Sequence, residues 1–228
     1  MKKISLLLIA SIFIGFAACT NEQDTVTSKD SVEFHTKSGA ISLQSLYNIM
    51  TTSTRYISLK GLRSSFVGKM QFKGLMTDIN TEAKMLNWIR VNISRTTFAS
   101  YNQAELEWNN IKSESYTVTT ENLEFFSALK AQANPSNSYY NLLQPEYQIA
   151  LSENPCTKAC QGAFLSTVNS AAQTYSNAVA QAMASWISVN IQSTNNMNST
   201  CSSARINFDI AIDEAANTQQ LCLAGCNN

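Results

Sequence analysis

Cys156 and Cys160 stand four residues apart, and the same spacing returns near the end of the chain at Cys222 and Cys226. A C-x-x-x-C spacing puts both thiols on one face of a helix, one turn apart. Followed in steps of three and four, the first face runs Cys156, Cys160, Phe164, Val168, Ala171, Tyr175, Ala178, Ala182, Trp186, Val189. The second runs Cys201, Ala204, Phe208, Ala211, Ala215, Thr218, Cys222, Cys226. Two small or apolar stripes of helical period, separated by a polar break at Asn195, Asn196 and Asn198, predict an antiparallel helical hairpin over 156–228.

An antiparallel register would pair Cys156 with Cys226 and Cys160 with Cys222, because each step forward on one arm is a step back on the other. Spacing alone leaves other connectivities open. Cys201 is the odd thiol, opposite Gln181 in this register, so either the first arm ends near Trp186 or its tip overhangs an Asn-rich return.

The first residues carry a different kind of information. Met1-Lys2-Lys3 is positive, and Ile4–Ala18 is apolar but shorter than the roughly 20 residues that span a membrane. Residues 1–18 therefore read as an export signal. Its end, Gly15-Phe16-Ala17-Ala18-Cys19, resembles the signal of bacterial lipoproteins, with Phe16 in place of their usual Leu. The resemblance implies cleavage before Cys19, lipidation of that cysteine and a membrane partner through its lipid. Thr20, where an Asp would mark inner-membrane retention, points the resemblance to the outer membrane of a Gram-negative cell. Residues 19–38 are too poor in apolar side chains to fold alone and read as a tether. Within them Asp24-Thr25-Val26 and Asp30-Ser31-Val32 resemble the O-glycosylation pattern of some Gram-negative envelope proteins, which makes Thr25 and Ser31 candidate glycosylation sites. His35, the one histidine of the chain, also falls here.

An exported chain meets an oxidising compartment, where disulfides persist. Four cysteines could instead hold zinc or an iron–sulfur cluster, but zinc sites favour shorter C-x-x-C knuckles, so no metal and no cofactor are expected.

Charge decides two further questions. Lysine plus arginine and aspartate plus glutamate both number 16, and loss of Lys2 and Lys3 leaves a slightly acidic chain, so nucleic acid is not an expected partner. Basic residues gather from Arg55 to Arg95, acidic ones from Thr96 to Ala150, and no charge occurs from Ala159 to Ala204. The basic and acidic segments are expected to lie against each other around a shielded arm; the alternative is a basic face for lipid headgroups or an acidic glycan.

Only 3 prolines and 7 glycines occur, and periodicity predicts an all-α helical bundle. Residues 39–134 form its N-terminal part, 135–155 a proline-containing connection, and 39–228 together one domain. A first helix is expected over Ile41–Leu59, closed by Gly61. Residues 61–80 fit a half-buried strand or a helix. A long helix capped by Asn80 or Thr81 is expected to reach Ile111, with a break over Ser113–Thr120. A shorter one, with Leu123, Phe126 and Leu129 inward, would end at Asn134-Pro135, and Asn154-Pro155 would open the stapled arm.

No catalytic constellation emerges. Glu105 with Glu107, and Asp213 with Glu214, do not share a helical face, and no serine sits in a nucleophile motif. The tryptophans fall on or beside helical stripes; Tyr139 and Tyr140, in the proline-containing interval, are the candidates for stacking on a ligand. The expectation is a non-catalytic, lipid-anchored envelope protein that binds a protein or glycan. The alternative is a secreted, membrane-active, toxin-like helical protein.

Overall fold

The computed structural model describes residues 41–226, so the signal, Cys19, the tether, Thr25, Ser31 and His35 lie outside the described residues. Among the described residues there are eight α-helices, three 3-10 turns and no strand. They are α1 (Leu43–Thr52), α2 (Thr54–Met70), α3 (Glu82–Val91), α4 (Tyr101–Glu121), α5 (Leu123–Lys130), α6 (Pro135–Leu143), α7 (Pro155–Ala184) and α8 (Ile191–Cys226). Helices α7 and α8 form the hairpin; α6 packs on α7, α4 on α2 and α8, and α1 on α5.

Short polar side chains set most of the boundaries. Ser42, Ser53, Thr81, Ser100, Asn134 and Asn154 each accept a backbone N–H of the first helical turn on a side-chain oxygen. Several of these lie where periodicity predicted continuity. The expected helix over Ile41–Leu59 is two, because Ser53 is extended (φ −66°, ψ 143°), caps α2 and returns its hydroxyl to the Met50 carbonyl. Gly61 does not close a helix; α2 runs through it to Met70. There Gln71 adopts the left-handed conformation (φ 46°), which stops the helix and turns Phe72 back onto Trp88. Residues 61–70 are thus helical, with Phe66 and Met70 inward.

The expected run from 81 to 111 breaks at Asn92, whose side chain donates to the Trp88 carbonyl before a 3-10 turn over Ile93–Arg95; Ser100 then starts α4 afresh. The expected interruption over Ser113–Thr120 is absent. There α4 continues, because Thr117 and Thr119 bond back to the carbonyls four residues earlier while Ser115, Val118 and Thr119 face the core. On α5 the inward residues are Phe125 and Leu129, with Leu123 on the outside. Asn134-Pro135 opens a helix, so the 135–155 interval holds α6 and the turn Gln144–Glu146.

The hairpin forms with a different tip. Helix α7 ends at Ala184, Ser185–Asn190 make the turn, and Asn195, Asn196 and Asn198 lie inside α8. Trp186 seals the turn by donating its indole N–H to Thr194 Oγ1 (3.1 Å). Val189, placed on the seam by periodicity, is 92% exposed in that turn.

The core has two foci. Between α2, α3 and α4, Phe66 packs against Phe98 and Trp108, with ring centroids 5.2 and 5.9 Å apart. Along the hairpin an aromatic file runs Tyr47, Phe125, Tyr139, Tyr175, Phe208, Tyr147, each ring 5.5–6.5 Å from the next. Fully buried members such as Phe66, Trp108, Phe125 and Phe208 each contribute about 1.5–3 kcal/mol by leaving water.

Candidate functional site

The open end of the hairpin is closed by Cys156–Cys226 and Cys160–Cys222, with Cα separations of 5.7 and 5.8 Å, and Cys201 remains free. The pairing follows the antiparallel register of the two stripes. Asn154 places Cys156 one residue inside α7 by accepting the N–H groups of Cys156 and Thr157. One bridge of this span removes about 4 kcal/mol of chain entropy from the unfolded state, and the nested second one less. The sulfurs of Cys156, Cys160 and Cys226 lie within 4.8 Å of one another, but as disulfides they offer no thiolate to a metal. The bridges suit an oxidising, extracytoplasmic compartment. Among the described residues no helix is long and apolar enough to cross a membrane.

The aromatic candidates resolve into core. Tyr139 is buried, and its hydroxyl shares a 3.2 Å hydrogen bond with that of Tyr175, so it presents no face to a ligand. Tyr140 is half-buried and donates to Asn169 Oδ1, as does Tyr147. Tyr139 and Tyr140 sit on α6, whose inner face turns Tyr139 toward Tyr175 of α7.

The charged segments lie against each other. Arg55 pairs with Glu114 and Glu121, Lys69 with Glu107, and Lys112 with Glu82. Burial works against the Glu82 carboxylate, yet its bonds from Lys112 and Ser199 hold it below its ordinary range. Glu105 and Glu107 part company, Glu107 taking Lys69 and Gln103 while Glu105 receives only a long 3.5 Å contact from Tyr101. Asp213 and Glu214 are both raised by burial, and Asp213 also by the neighbouring Asp209.

Two features escaped the sequence. The first is a buried ionic cluster at the middle of α8. Arg205 bonds Asp209 Oδ1 at 2.8 Å and Glu146 Oε2 at 3.1 Å, Glu146 also accepts the Tyr47 hydroxyl, and Arg63 Nε lies 3.9 Å from Asp209 Oδ2. Burial opposes the charge on Glu146, but Arg205 and the Tyr47 hydroxyl together hold it below the usual carboxylate range. Burial also raises Tyr47, Tyr139 and Tyr175, which stay protonated. The signal was present in the sequence: Arg205 is the first charge after the long uncharged arm, and Asp209 follows four residues later on the same face.

The second is a cleft of about 840 Å³ along the outside of the hairpin. Ser170, Thr174, Asn177 and Gln181 of α7 form one wall and Asn207 of α8 the other, Thr77 and Asn80 close one side, and Tyr175 and Phe208 lie beneath. No charged side chain lines it. The alanine steps of both stripes, Ala171, Ala178, Ala204 and Ala211, make it concave. Its chemistry is hydrogen bonding without charge. The described site holds no nucleophile–base pair.

Compared with known proteins, the chain matches no family model, no curated protein and no solved structure.

Proposed function

We propose that this chain is a non-catalytic binding module of the cell envelope, carried on a lipidated Cys19 at the outer membrane, that holds a neutral oligosaccharide in the hairpin cleft. The observation that carries this reading is the wall of hydroxyl and amide side chains, with charge excluded from a concavity whose size falls in the range of small-molecule sites. Neutral sugars offer many paired donors and acceptors and no charge to desolvate. The disulfides and the signal-like first residues support the address.

The test is a screen of the mature chain against neutral and acidic glycans, followed by titration calorimetry of any binder. Binding of neutral glycans is expected, weakened at least ten-fold by Thr174→Lys, which places a charge on an exposed position of the wall. Equal binding in the variant, or a preference for acidic glycans, would refute the cleft reading. The address is tested separately: an alkyne fatty acid should label the wild type and not Cys19→Ser, and the labelled protein should fractionate with the outer membrane.

A second reading, a membrane-active protein, is favoured by the hairpin tip, where Ile187, Val189 and Ile191 are 56%, 92% and 68% exposed. Leakage of anionic vesicles by the unlipidated chain, abolished by Val189→Asp, would support it over the first.

A further inference from the structure

Beneath the cleft, on the inner side of the hairpin, α2, α4, α7 and α8 surround a cavity of about 50 Å³. One water needs about 10–15 Å³ of such space, so the cavity has room for more than a single water. Its polar lining includes Arg63, Asn198, the hydroxyl residues Ser115, Thr119, Ser202, Tyr56, Tyr139 and Tyr175, and the thiol of Cys201, set among apolar groups such as Leu59 and Val118. Arg63 and Asn198 are 5% and 4% exposed.

Three donors of the lining are left unpaired. Arg63 Nε and Nη2 and Asn198 Nδ2 are buried and have no hydrogen-bond partner. Asn198 Oδ1 is already taken by the Thr119 hydroxyl at 2.6 Å, and the Ser202 hydroxyl is spent on Ser115 Oγ at 3.0 Å. No carboxylate lines the cavity; the nearest to Arg63, Asp209, stands 3.9 Å from Nε and gives its other oxygen to Arg205. Leaving such donors unmet in the interior is costly, and more so for a guanidinium. Water would meet these donors but also brings hydrogens of its own, and several hydroxyls of the lining are already engaged with one another. A monatomic anion accepts from several donors at once and donates nothing, and the apolar walls suit a weakly hydrated one.

We propose that this cavity is a binding site for a small monovalent anion, chloride in kind, held by the Arg63 guanidinium and the Asn198 amide. A single negative charge would face the one guanidinium that lines the cavity, whose carboxylate partner Asp209 is shared with Arg205. The cavity volume excludes large organic anions.

The test is thermal unfolding of the mature chain in sodium chloride or bromide against sodium gluconate at equal sodium concentration. Halide is expected to raise the midpoint saturably, by about 2–4 °C once it exceeds its dissociation constant several-fold, and gluconate to leave it unchanged. Arg63→Met keeps the bulk and removes the donors, and should abolish the difference. Coincident halide and gluconate curves in the wild type, or a halide effect that survives in Arg63→Met, would overturn the proposal. Should the variant not fold, anomalous scattering from a bromide-soaked wild-type crystal decides. A peak between Arg63 and Asn198 supports the site, and water density alone there overturns it.

Discussion

Arg205 is the charge most deeply enclosed by the fold, 3% exposed, yet both of its carboxylate partners keep about a fifth of their side-chain surface in water. Breaking such a pair costs more than forming it gains, because the remaining charges stay buried. Arg205→Met is therefore expected to lose about 3 kcal/mol in urea denaturation, the low end for a buried pair because Glu146 and Asp209 can rehydrate. Glu146 gives the cluster its pH dependence. Its carboxyl is held below the ordinary value of about 4.3, so the stability it contributes is present above that pH and is lost as pH falls through its folded value. Glu82 acts in the same sense, while Asp213 and Glu214, both raised, act in the opposite one. Glu146→Gln should lower stability at pH 7 by about 2 kcal/mol and flatten the decline as pH falls below the ordinary carboxylate range. An unchanged slope would show that other carboxylates govern acid unfolding. At this scale the sequence was only partly legible. The antiparallel register of the two stripes favoured the cysteine pairing that the fold adopts, although spacing alone left others open. Glu146 and Arg205 came together through the placement of α6 and the turn after it, which no local pattern records.

Helices were legible where periodicity was long and their ends were not. The N-cap residues are common in this chain, and whether a Ser, Thr or Asn starts a helix or bonds inward along one depends on which way its hydroxyl or amide turns. Thus Ser53 and Asn92 break runs that looked continuous, whereas Thr117 and Thr119 continue one that looked broken. Glycine misled in the same way: Gly61 read as a stop, yet it and Gly68 both lie inside α2 on its exposed side, with open space where a Cβ would stand. Each is expected to stabilise the protein by about 0.5–1 kcal/mol on replacement by alanine, since the helix bears their entropic cost and gains nothing from the missing side chain. Together they should raise the unfolding midpoint by about 2–8 °C. A drop instead would reveal a surface on α2 that a methyl group obstructs.

For the whole molecule, the all-α class and the stapled hairpin followed from composition and from the two cysteine stripes, and the reciprocal packing of the basic and acidic segments followed from their charge. The cleft and the interior cavity did not, because each is a space between helices, defined by where small side chains on one meet small or polar ones on another. The staple and the turn sit at opposite ends of the hairpin, and that placement decides how the protein would come apart. A protease meets residues 187–190 as an exposed loop. A cut there severs the backbone but releases nothing, since the two halves remain joined by two covalent links far from the wound. The nicked molecule would run as one band on a non-reducing gel and as two only after thiol treatment, so in an oxidising environment the chain can lose its continuity and still keep its parts together.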